Sequence, residues 1–349
     1  MLFRPALRRF VPVLFLGALL ASCAAPPKAV PTPPPPPPIP TVSLSPQVVQ
    51  AASAYRYYMA RSSAIVPQFA DGGTIAGAVQ TGATYEPAQM VRGAIAYAAV
   101  VALQDKAFVD SVRVYAQDPG QRREVIHELL KNPAYVVGLP GSAGAAGLVI
   151  ANLGSDAQQL YDAGKAVKQS AYDIQKQPWS RSDVPARDVR LASAKSASVT
   201  AMSGEIAETA RLQQISMALP SAAVSVPPVA PPYTPTVTRG LAIAALAVLG
   251  EARDSDMVSV SGLMSETNIG SCMGSAKLNL YQCLAVARPH YEDVFCLGQH
   301  ALMDTGRCMI RASGLPEPFE ARFIPDASSI NKGMGKKPPV RKKPVREAA

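Results

Sequence analysis

Proline is the residue that most restricts what this chain can fold into, and it is concentrated in a few stretches. Six consecutive prolines occupy residues 33–38, and six more lie within residues 220–235. Because proline fixes φ and lacks an amide hydrogen, neither a helix interior nor a central strand tolerates this density. Regular structure is therefore expected at residues 46–219 and 236–312, with residues 220–235 as a disordered linker or a long surface crossover.

Between the proline stretches, the sequence has helical periodicity. Asp105 is placed to cap one helix, and Asp118 followed by Pro119 predicts the start of another. Farther along, apolar residues recur every three or four positions, at Leu160, Ala163, Val167, Ala171 and Ile174. The chain is 48% hydrophobic but only 6% aromatic. These features predict an all-α fold, with a helical bundle before the 220–235 stretch and a smaller helical unit after it.

Three apolar runs raise the question of a membrane span. Residues 93–103, 143–153 and 240–249 are each about 10 or 11 residues long, well short of the ~20 that cross a bilayer. They are rich in glycine and alanine, which let helix backbones approach closely. We therefore predict that they form buried helices.

The amino-terminal end has the three-part layout of a secretory signal peptide. A basic start precedes an apolar stretch, which ends in Leu20-Ala21-Ser22-Cys23. This ending resembles the lipobox of bacterial lipoproteins. The resemblance implies that the Cys23 thiol receives a diacylglyceryl group and that cleavage removes residues 1–22, so that the mature chain is attached to a membrane through covalent lipid.

Residues 23–45 follow as a proline-rich tether, which favours polyproline II and would hold the folded part away from the membrane. Because Ala24 follows the cysteine, the resemblance implies an outer-membrane anchor with the body in the periplasm; the inner membrane is the alternative. One alternative for residues 1–25 is an ordinary signal peptide that is cut near Ala25. One alternative for the prolines is a ligand for an SH3-like or WW-like module.

Residues 89–104 and 277–303 are similar to stretches of uncharacterised lipoproteins of Alphaproteobacteria.

Four cysteines remain once Cys23 carries lipid, namely Cys272, Cys283, Cys296 and Cys308. In an exported protein, an even number of cysteines predicts disulfides. Two of the possible pairs are both centred on Arg288-Pro289-His290, where a helix that begins near Ser275 should stop. Nested bridges around one turn are what an antiparallel helical hairpin produces. We therefore predict Cys283–Cys296 close to the turn and Cys272–Cys308 farther out.

Zinc is the alternative for these cysteines, with His290 and His300 nearby. Structural zinc sites usually bring their ligands in pairs two to four residues apart, and none of the four cysteines has such a neighbour. The sequence therefore predicts no metal site, and it carries no motif for a cofactor.

The net charge of +9 is placed at the two ends of the chain. Residues 1–22 carry +3 and residues 331–349 carry +6, which leaves the remainder neutral. A nucleic-acid site needs a basic surface on the folded body, so nucleic acid is not predicted as a partner. Residues 313–349 are predicted to be an irregular segment and a basic disordered tail.

No catalytic motif is evident. The sequence PGSAG at residues 140–144 is similar to a nucleophile elbow, but it lacks the first glycine and a preceding strand, so that Ser142 is predicted to be a helix cap. Neighbouring carboxylates such as Glu205 and Glu208 are not distinguishable from surface acids. We therefore predict no catalytic residue and no enzymatic activity; a hydrolase with an unfamiliar site is an alternative.

Tyr55, Tyr57 and Tyr58 form an aromatic cluster near the start of the predicted bundle. On a surface such rings can stack on sugars or contact a partner, whereas in a core they pack among apolar side chains. Together with the anchor, these features predict a non-enzymatic scaffold or accessory factor in cell-envelope assembly, secretion or maintenance, with an envelope protein as its partner. The alternative is a module that binds peptidoglycan or another envelope polysaccharide.

Overall fold

Thirteen α-helices make up most of residues 41–218 and 226–319, which are the residues that the computed structural model of the chain describes. They are α1 (Pro46–Ser63), α2 (Gly72–Ala83), α3 (Pro87–Ala102), α4 (Lys106–Tyr115), α5 (Pro119–Lys131), α6 (Ser142–Ile174), α7 (Arg187–Val199), α8 (Ile206–Met217), α9 (Pro235–Val248), α10 (Met257–Leu263), α11 (Thr267–Val286), α12 (His290–Cys296) and α13 (Asp304–Ser313). No β-strand occurs among these residues, which confirms the all-α prediction. The predicted lipobox with Cys23, the six-proline run and the basic tail lie outside the described residues.

The helices begin where side chains can bind their free amide groups. As predicted, the Asp105 carboxylate accepts from the Phe108 amide at 2.8 Å, and the Asp118 carboxylate accepts from the Gln121 amide at 2.7 Å. Proline is tolerated in a first turn because its missing amide hydrogen has no partner there. Four helices use it in this way, at Pro46, Pro87, Pro119 and Pro235. Part of the high proline content therefore marks helix starts.

The start of α6 differs from the prediction for Ser142. Its cap is Gly141, whose φ of 83° favours glycine, and a Cβ on this residue would lie 2.6 Å from the Phe108 backbone. Ser142 is buried inside the first turn, and its hydroxyl lies 2.6 Å from the carbonyl oxygens of Val136 and Leu139. Ser142 therefore ties α6 to the preceding 3₁₀ turn and does not cap the helix.

The three apolar runs are buried helices, as predicted. They form most of α3, the first turns of α6 and most of α9, and almost every residue in these parts of α3 and α9 is inaccessible to solvent. A Cβ on Gly240 would lie 2.4 Å from the Ala98 Cβ, and a Cβ on Gly93 would lie 2.7 Å from the Ala51 carbonyl oxygen. Small residues therefore let α1, α3 and α9 approach closely. Among the described residues, no helix is both long and apolar enough to cross a bilayer.

The helices that follow the 220–235 stretch pack against those that precede it. α9 lies against α3, and α13 lies against α6, within one hydrophobic core. Residues 226–235 of the stretch are described, and the Val229 amide donates to the Ala143 carbonyl at 3.0 Å. Residues 226–235 are therefore a crossover on the surface of one folded body, because the apolar faces of α9 and α13 are buried against the helices of the predicted bundle.

The folded body begins before residue 46. Leu44 is 1% exposed and belongs to the hydrophobic core. Ser45 caps α1 by accepting from the Gln47 amide at 3.1 Å, and its own amide donates to the Ala252 carbonyl at 2.7 Å. The predicted boundary of the tether at residue 45 therefore lies too late, because the last two residues assigned to the tether are held by the body.

The predicted hairpin is formed by α11 and by a continuous helix made of α12, a π-helical segment at Leu297–Met303, and α13. α11 begins at Thr267, earlier than the predicted start near Ser275, because the Glu266 side chain accepts from the amides that follow it. In the π segment, a Cβ on Gly298 would lie 2.5 Å from the Lys168 amide nitrogen of α6. The hairpin therefore packs directly on the α6 backbone at this point.

Candidate functional site

The tyrosines near the start of the bundle are divided between core and surface. Tyr55 is 0% exposed and Tyr58 is 4% exposed, and the Tyr58 hydroxyl donates to the Gly82 carbonyl at 3.1 Å. Tyr57 is half-buried, and its hydroxyl accepts from Arg61 at 2.8 Å. The core interpretation therefore applies to Tyr55 and Tyr58, because α1 turns them inward and leaves no ring face that could stack on a sugar.

Two disulfides connect the arms of the hairpin in the predicted nested order. Cys283–Cys296 joins the end of α11 to the end of α12, with Cα atoms 5.6 Å apart. Cys272–Cys308 joins the first half of α11 to α13, with Cα atoms 5.8 Å apart. The pairing confirms the prediction. Within the described ranges, no group of three or more His, Cys, Asp and Glu side chains is arranged to hold a metal ion.

The two histidines of the hairpin contact other side chains. The His290 ring, at the start of α12, lies 6.3 Å from the Trp179 ring between centroids. His300, in the π segment, places its Nδ1 atom 2.8 Å from an Asp304 carboxylate oxygen. Both residues therefore take part in packing and hydrogen bonding of the hairpin.

The neighbouring carboxylates Glu205 and Glu208 do not form an acid–base pair. Glu205 is the exposed residue before α8. Glu208 accepts two hydrogen bonds of 2.7 Å from Arg211 and lies 3.7 Å from the Arg56 Nε atom. The hydrogen bonds from Arg211, assisted by the charge of Arg56, lower the pKa of Glu208. Its carboxylate is therefore ionised and neutralised by arginines, which suits a structural role.

A buried ion pair joins α7 to the hairpin. The side chains of Arg190 in α7 and Asp293 in α12 are 8% and 3% exposed, and they are hydrogen-bonded to each other. Arg190 also donates to the Leu284 carbonyl, and Arg187 donates to the Ala287 carbonyl at 2.8 Å. Burial raises the pKa of Asp293, and the charge of Arg190 opposes this rise. Two arginines of α7 therefore bind the carbonyl end of α11.

A buried lysine lies where α2, α3, α7 and α11 meet. Lys277 is 4% exposed, and its ammonium donates to the Ala83 carbonyl and to the Ser198 hydroxyl, the latter at 3.0 Å. The Nζ atom lies 3.5 Å from the centroid of the Tyr85 ring. Burial lowers the pKa of Lys277 well below its ordinary value of 10.5. Sequence reasoning missed this burial, although the helical spacing of Met273, Lys277 and Leu280 places the lysine on the apolar stripe of α11.

Replacing Lys277 by methionine should remove a pH dependence of stability. A lysine whose pKa is lower in the folded state binds fewer protons than in the unfolded state. The free energy of unfolding should therefore rise with pH between the lowered pKa and about 10.4, by at most about 1.4 kcal/mol per pH unit. Urea unfolding in a series of buffers from neutral pH toward this upper limit of about 10.4 should show the rise in the wild type and a flatter profile in Lys277→Met.

The matched control for this prediction is Lys195→Met, which changes an exposed lysine of α7. It should keep the wild-type profile. The Ser198 hydroxyl lies 3.0 Å from the Ala83 carbonyl oxygen, so that this carbonyl has a donor other than Lys277. An unchanged pH profile in Lys277→Met would contradict the assignment of the rise to this residue.

An open groove of about 450 Å³ lies where the end of α6 meets the hairpin, beside the Cys283–Cys296 bridge. Three aromatic side chains line it: Tyr172 from α6, and Tyr291 and Phe295 from α12. The rings of Tyr172 and Phe295 meet edge to face with centroids 6.3 Å apart, and Tyr172 is 51% exposed. We call this feature the aromatic groove.

A second cavity, of about 430 Å³, adjoins the aromatic groove and shares Tyr172 and Tyr291 with it. Gln175, Lys176 and Arg181 also line this cavity. All three side chains are exposed. The aromatic groove and this cavity therefore share Tyr172, Gln175 and Tyr291, and the two basic side chains line the second cavity.

Sequence reasoning did not single out the aromatic groove. The apolar stripe of α6 includes Ala171, so that Tyr172 lies just outside the stripe and its exposure follows from the periodicity. Nothing local brings Tyr172 next to Tyr291 and Phe295, because these residues lie on helices that are far apart along the chain.

A further cavity, of about 980 Å³, lies between α1, α3, α8 and α10. Its lining is rich in amide and thioether side chains and includes Gln47, Gln50, Gln89, Gln213, Met202, Met257 and Met264. Arg92 contributes a positive charge at this cavity. The cavity therefore offers hydrogen bonds and apolar contact, but no aromatic side chain of the described residues lines it.

Comparison of the chain with protein-family models, with curated proteins and with solved structures found no match.

Proposed function

We propose that this protein is an exported, lipid-anchored scaffold or accessory factor of the bacterial cell envelope, without enzymatic activity. Acyl chains on Cys23 would attach it to the outer membrane, and its helical body would lie in the periplasm. The observation that carries the proposal is the nested pair of disulfides in the hairpin. Disulfides form and persist in oxidising compartments and are rare in the cytosol, which supports the export that the lipobox predicts.

The pairing of charges supports a structural role. Glu208 is held by Arg211 and Arg56, and Asp293 is held by Arg190. Carboxylates bound in this way serve to join helices, since each arginine donates to the acid or to a neighbouring helix end. A helical body joined by such pairs and by two disulfides suits a rigid platform for an envelope partner.

Affinity capture from crosslinked membranes, followed by mass spectrometry, tests the anchor and the role together. We expect the mature chain to begin at Cys23 and to carry acyl chains, because two or more chains hold a protein stably at a bilayer. We also expect an envelope protein to be crosslinked to it. Cys23→Ser should lose the acyl chains and leave the membrane fraction.

The control for Cys23→Ser replaces two cysteines of the hairpin and keeps Cys23. Cys272→Ala/Cys308→Ala should keep acylation at Cys23, since it removes a bridge and leaves the lipobox intact. Recovery of an unacylated chain with reduced cysteines from the cytoplasm would contradict the proposed export. An acylated monomer that crosslinks to no partner would contradict the scaffold role.

A further inference from the structure

The rings of the aromatic groove are accessible from one side. Tyr172 is half exposed, and Tyr291 and Phe295 are only partly buried. The groove is supported by rigid parts of the fold, because Cys283 and Cys296 line it and are bonded to each other. Its shape therefore does not depend on a loop, and the rings form a prearranged stacking surface.

The charges around the aromatic groove favour an anionic ligand. Lys176 makes no hydrogen bond or ion pair within the described part of the chain, and it is exposed. Arg181 donates through Nε to the Gln175 backbone carbonyl at 2.8 Å, which holds its guanidinium beside the opening. Glu292, the acid that lines the groove, already accepts from the Arg288 amide at 2.8 Å. Two cations and one carboxylate therefore line the two cavities, and since the amide bond leaves the carboxylate its charge, the balance is one net positive charge.

We propose that the aromatic groove binds a carboxylated glycan, namely a chain of N-acetylhexosamines in which some sugars carry a carboxylate, as in peptidoglycan strands. Aromatic side chains offer a broad apolar face on which a pyranose ring can stack, as Tyr172 does here. The Gln175 side chain provides both a donor and an acceptor for acetamido and hydroxyl groups. Lys176 and Arg181 provide charge-assisted hydrogen bonds to the carboxylate.

A proline-rich peptide is the other ligand that an aromatic groove can hold. Such a peptide would use the rings but would leave the two cations without a counterpart. The carboxylated glycan uses both sets of groups and is therefore favoured. The choice of a cell-wall glycan rests on the envelope location proposed above, but binding is measured in vitro, so that its failure would leave acylation of Cys23 as a separate result.

The position of Trp179 provides a local probe. It is the one tryptophan of the chain, and it lies with Arg181 in the short 3₁₀ turn Trp179–Arg181. The experiment titrates the mature protein, reconstituted in nanodiscs, with a tetrasaccharide of alternating N-acetylglucosamine and N-acetylmuramic acid, and separately with uncharged chitotetraose. We expect a change in tryptophan fluorescence and at least about tenfold tighter binding of the carboxylated sugar, because it pairs with both cations. Calorimetry on the same samples measures affinity independently of fluorescence.

Variants separate the stacking from the charge. Tyr172→Ala should weaken binding of both sugars at least about tenfold, whereas Lys176→Ala/Arg181→Ala should remove the preference for the carboxylated sugar. Tyr135→Ala, which removes another partly exposed tyrosine (37% exposed) outside the groove, should bind as the wild type does. Urea unfolding of each variant checks that the fold is intact.

Three results would overturn the proposal. The first is absence of binding by calorimetry with the wild-type protein. The second is equal affinity for the charged and uncharged tetrasaccharides, since this would show that the cations take no part. The third is displacement of the sugar, or tighter binding at the groove, by a proline-rich peptide, which would assign the aromatic rings to a protein ligand.

Discussion

Removal of the Cys272–Cys308 bridge is expected to lower the free energy of unfolding by roughly 4 kcal/mol, and removal of Cys283–Cys296 by roughly 3 kcal/mol. The difference comes from the unfolded chain, in which a bridge limits the conformations of the loop that it closes. The outer bridge joins residues that are 36 apart in sequence, and the inner bridge joins residues that are 13 apart. The longer loop loses more conformational entropy on closure, so that its bridge stabilises more.

Urea unfolding of Cys272→Ala/Cys308→Ala and of Cys283→Ala/Cys296→Ala measures these two effects, with helical circular dichroism as the signal. Each pair contains one buried cysteine, Cys308 or Cys296, so that the cavities left by alanine are similar. Full reduction of the wild type should cost more than either double variant, and it would remove much of a total stability of about 5–15 kcal/mol. Equal losses in the two variants would contradict the argument from loop length.

Replacement of Arg190 by alanine is expected to cost about 3–5 kcal/mol, the usual effect of removing one partner of a buried ion pair. The Asp293 carboxylate, 3% exposed, would remain in the core without its counter-charge. The Leu284 carbonyl at the end of α11 would lose its bond from Arg190 as well. Equilibrium unfolding in urea measures the change.

Arg187→Ala is the matched control for this substitution. Arg187 belongs to the same helix but binds only backbone carbonyls, those of Ala285 and Ala287, so that its loss should cost about 1 kcal/mol. Arg190→Ala/Asp293→Ala should recover part of the stability that Arg190→Ala loses, because no buried charge is left. If Arg190→Ala lowers the free energy of unfolding no more than Arg187→Ala does, the buried ion pair is not an important source of stability.

The pH dependence of Arg190→Ala gives a second test. Burial raises the pKa of Asp293 even beside Arg190, and without the arginine the pKa should rise further. A carboxyl group whose pKa is higher in the folded state binds more protons there than in the unfolded state. The variant should therefore regain stability as the pH falls from neutral through the raised pKa, and wild-type protein should regain less.

Local features were sufficient to predict where two of the helices start. Asp105 and Asp118 cap α4 and α5 as expected, because a cap depends on the side chain and the two or three amides that follow it. Ser142 shows the limit of this argument. A serine beside glycine and proline is a good cap by composition, yet close contact with Phe108 requires Gly141 at the cap and moves Ser142 into the helix.

The pattern of exposed aromatic residues shows the same limit at the candidate site. The sequence drew attention to Tyr55 and Tyr58 because they lie within four consecutive residues, but α1 buries both of them. The rings that line the aromatic groove, Tyr172 and Phe295, are brought together only by the packing of α12 on α6. Proximity along a chain therefore did not indicate proximity on the surface.

The sequence by itself determined the helical class, the starts of α4 and α5 and the pairing of the cysteines around Pro289. These features depend on periodicity, on caps and on spacing around one turn, all of which act within a short length of chain. Only the tertiary structure decided that Lys277 and Asp293 are buried, that Leu44 and Ser45 belong to the body, and that an aromatic groove exists. Those outcomes depend on which helix faces meet, and this is set by close packing between residues that are distant in sequence.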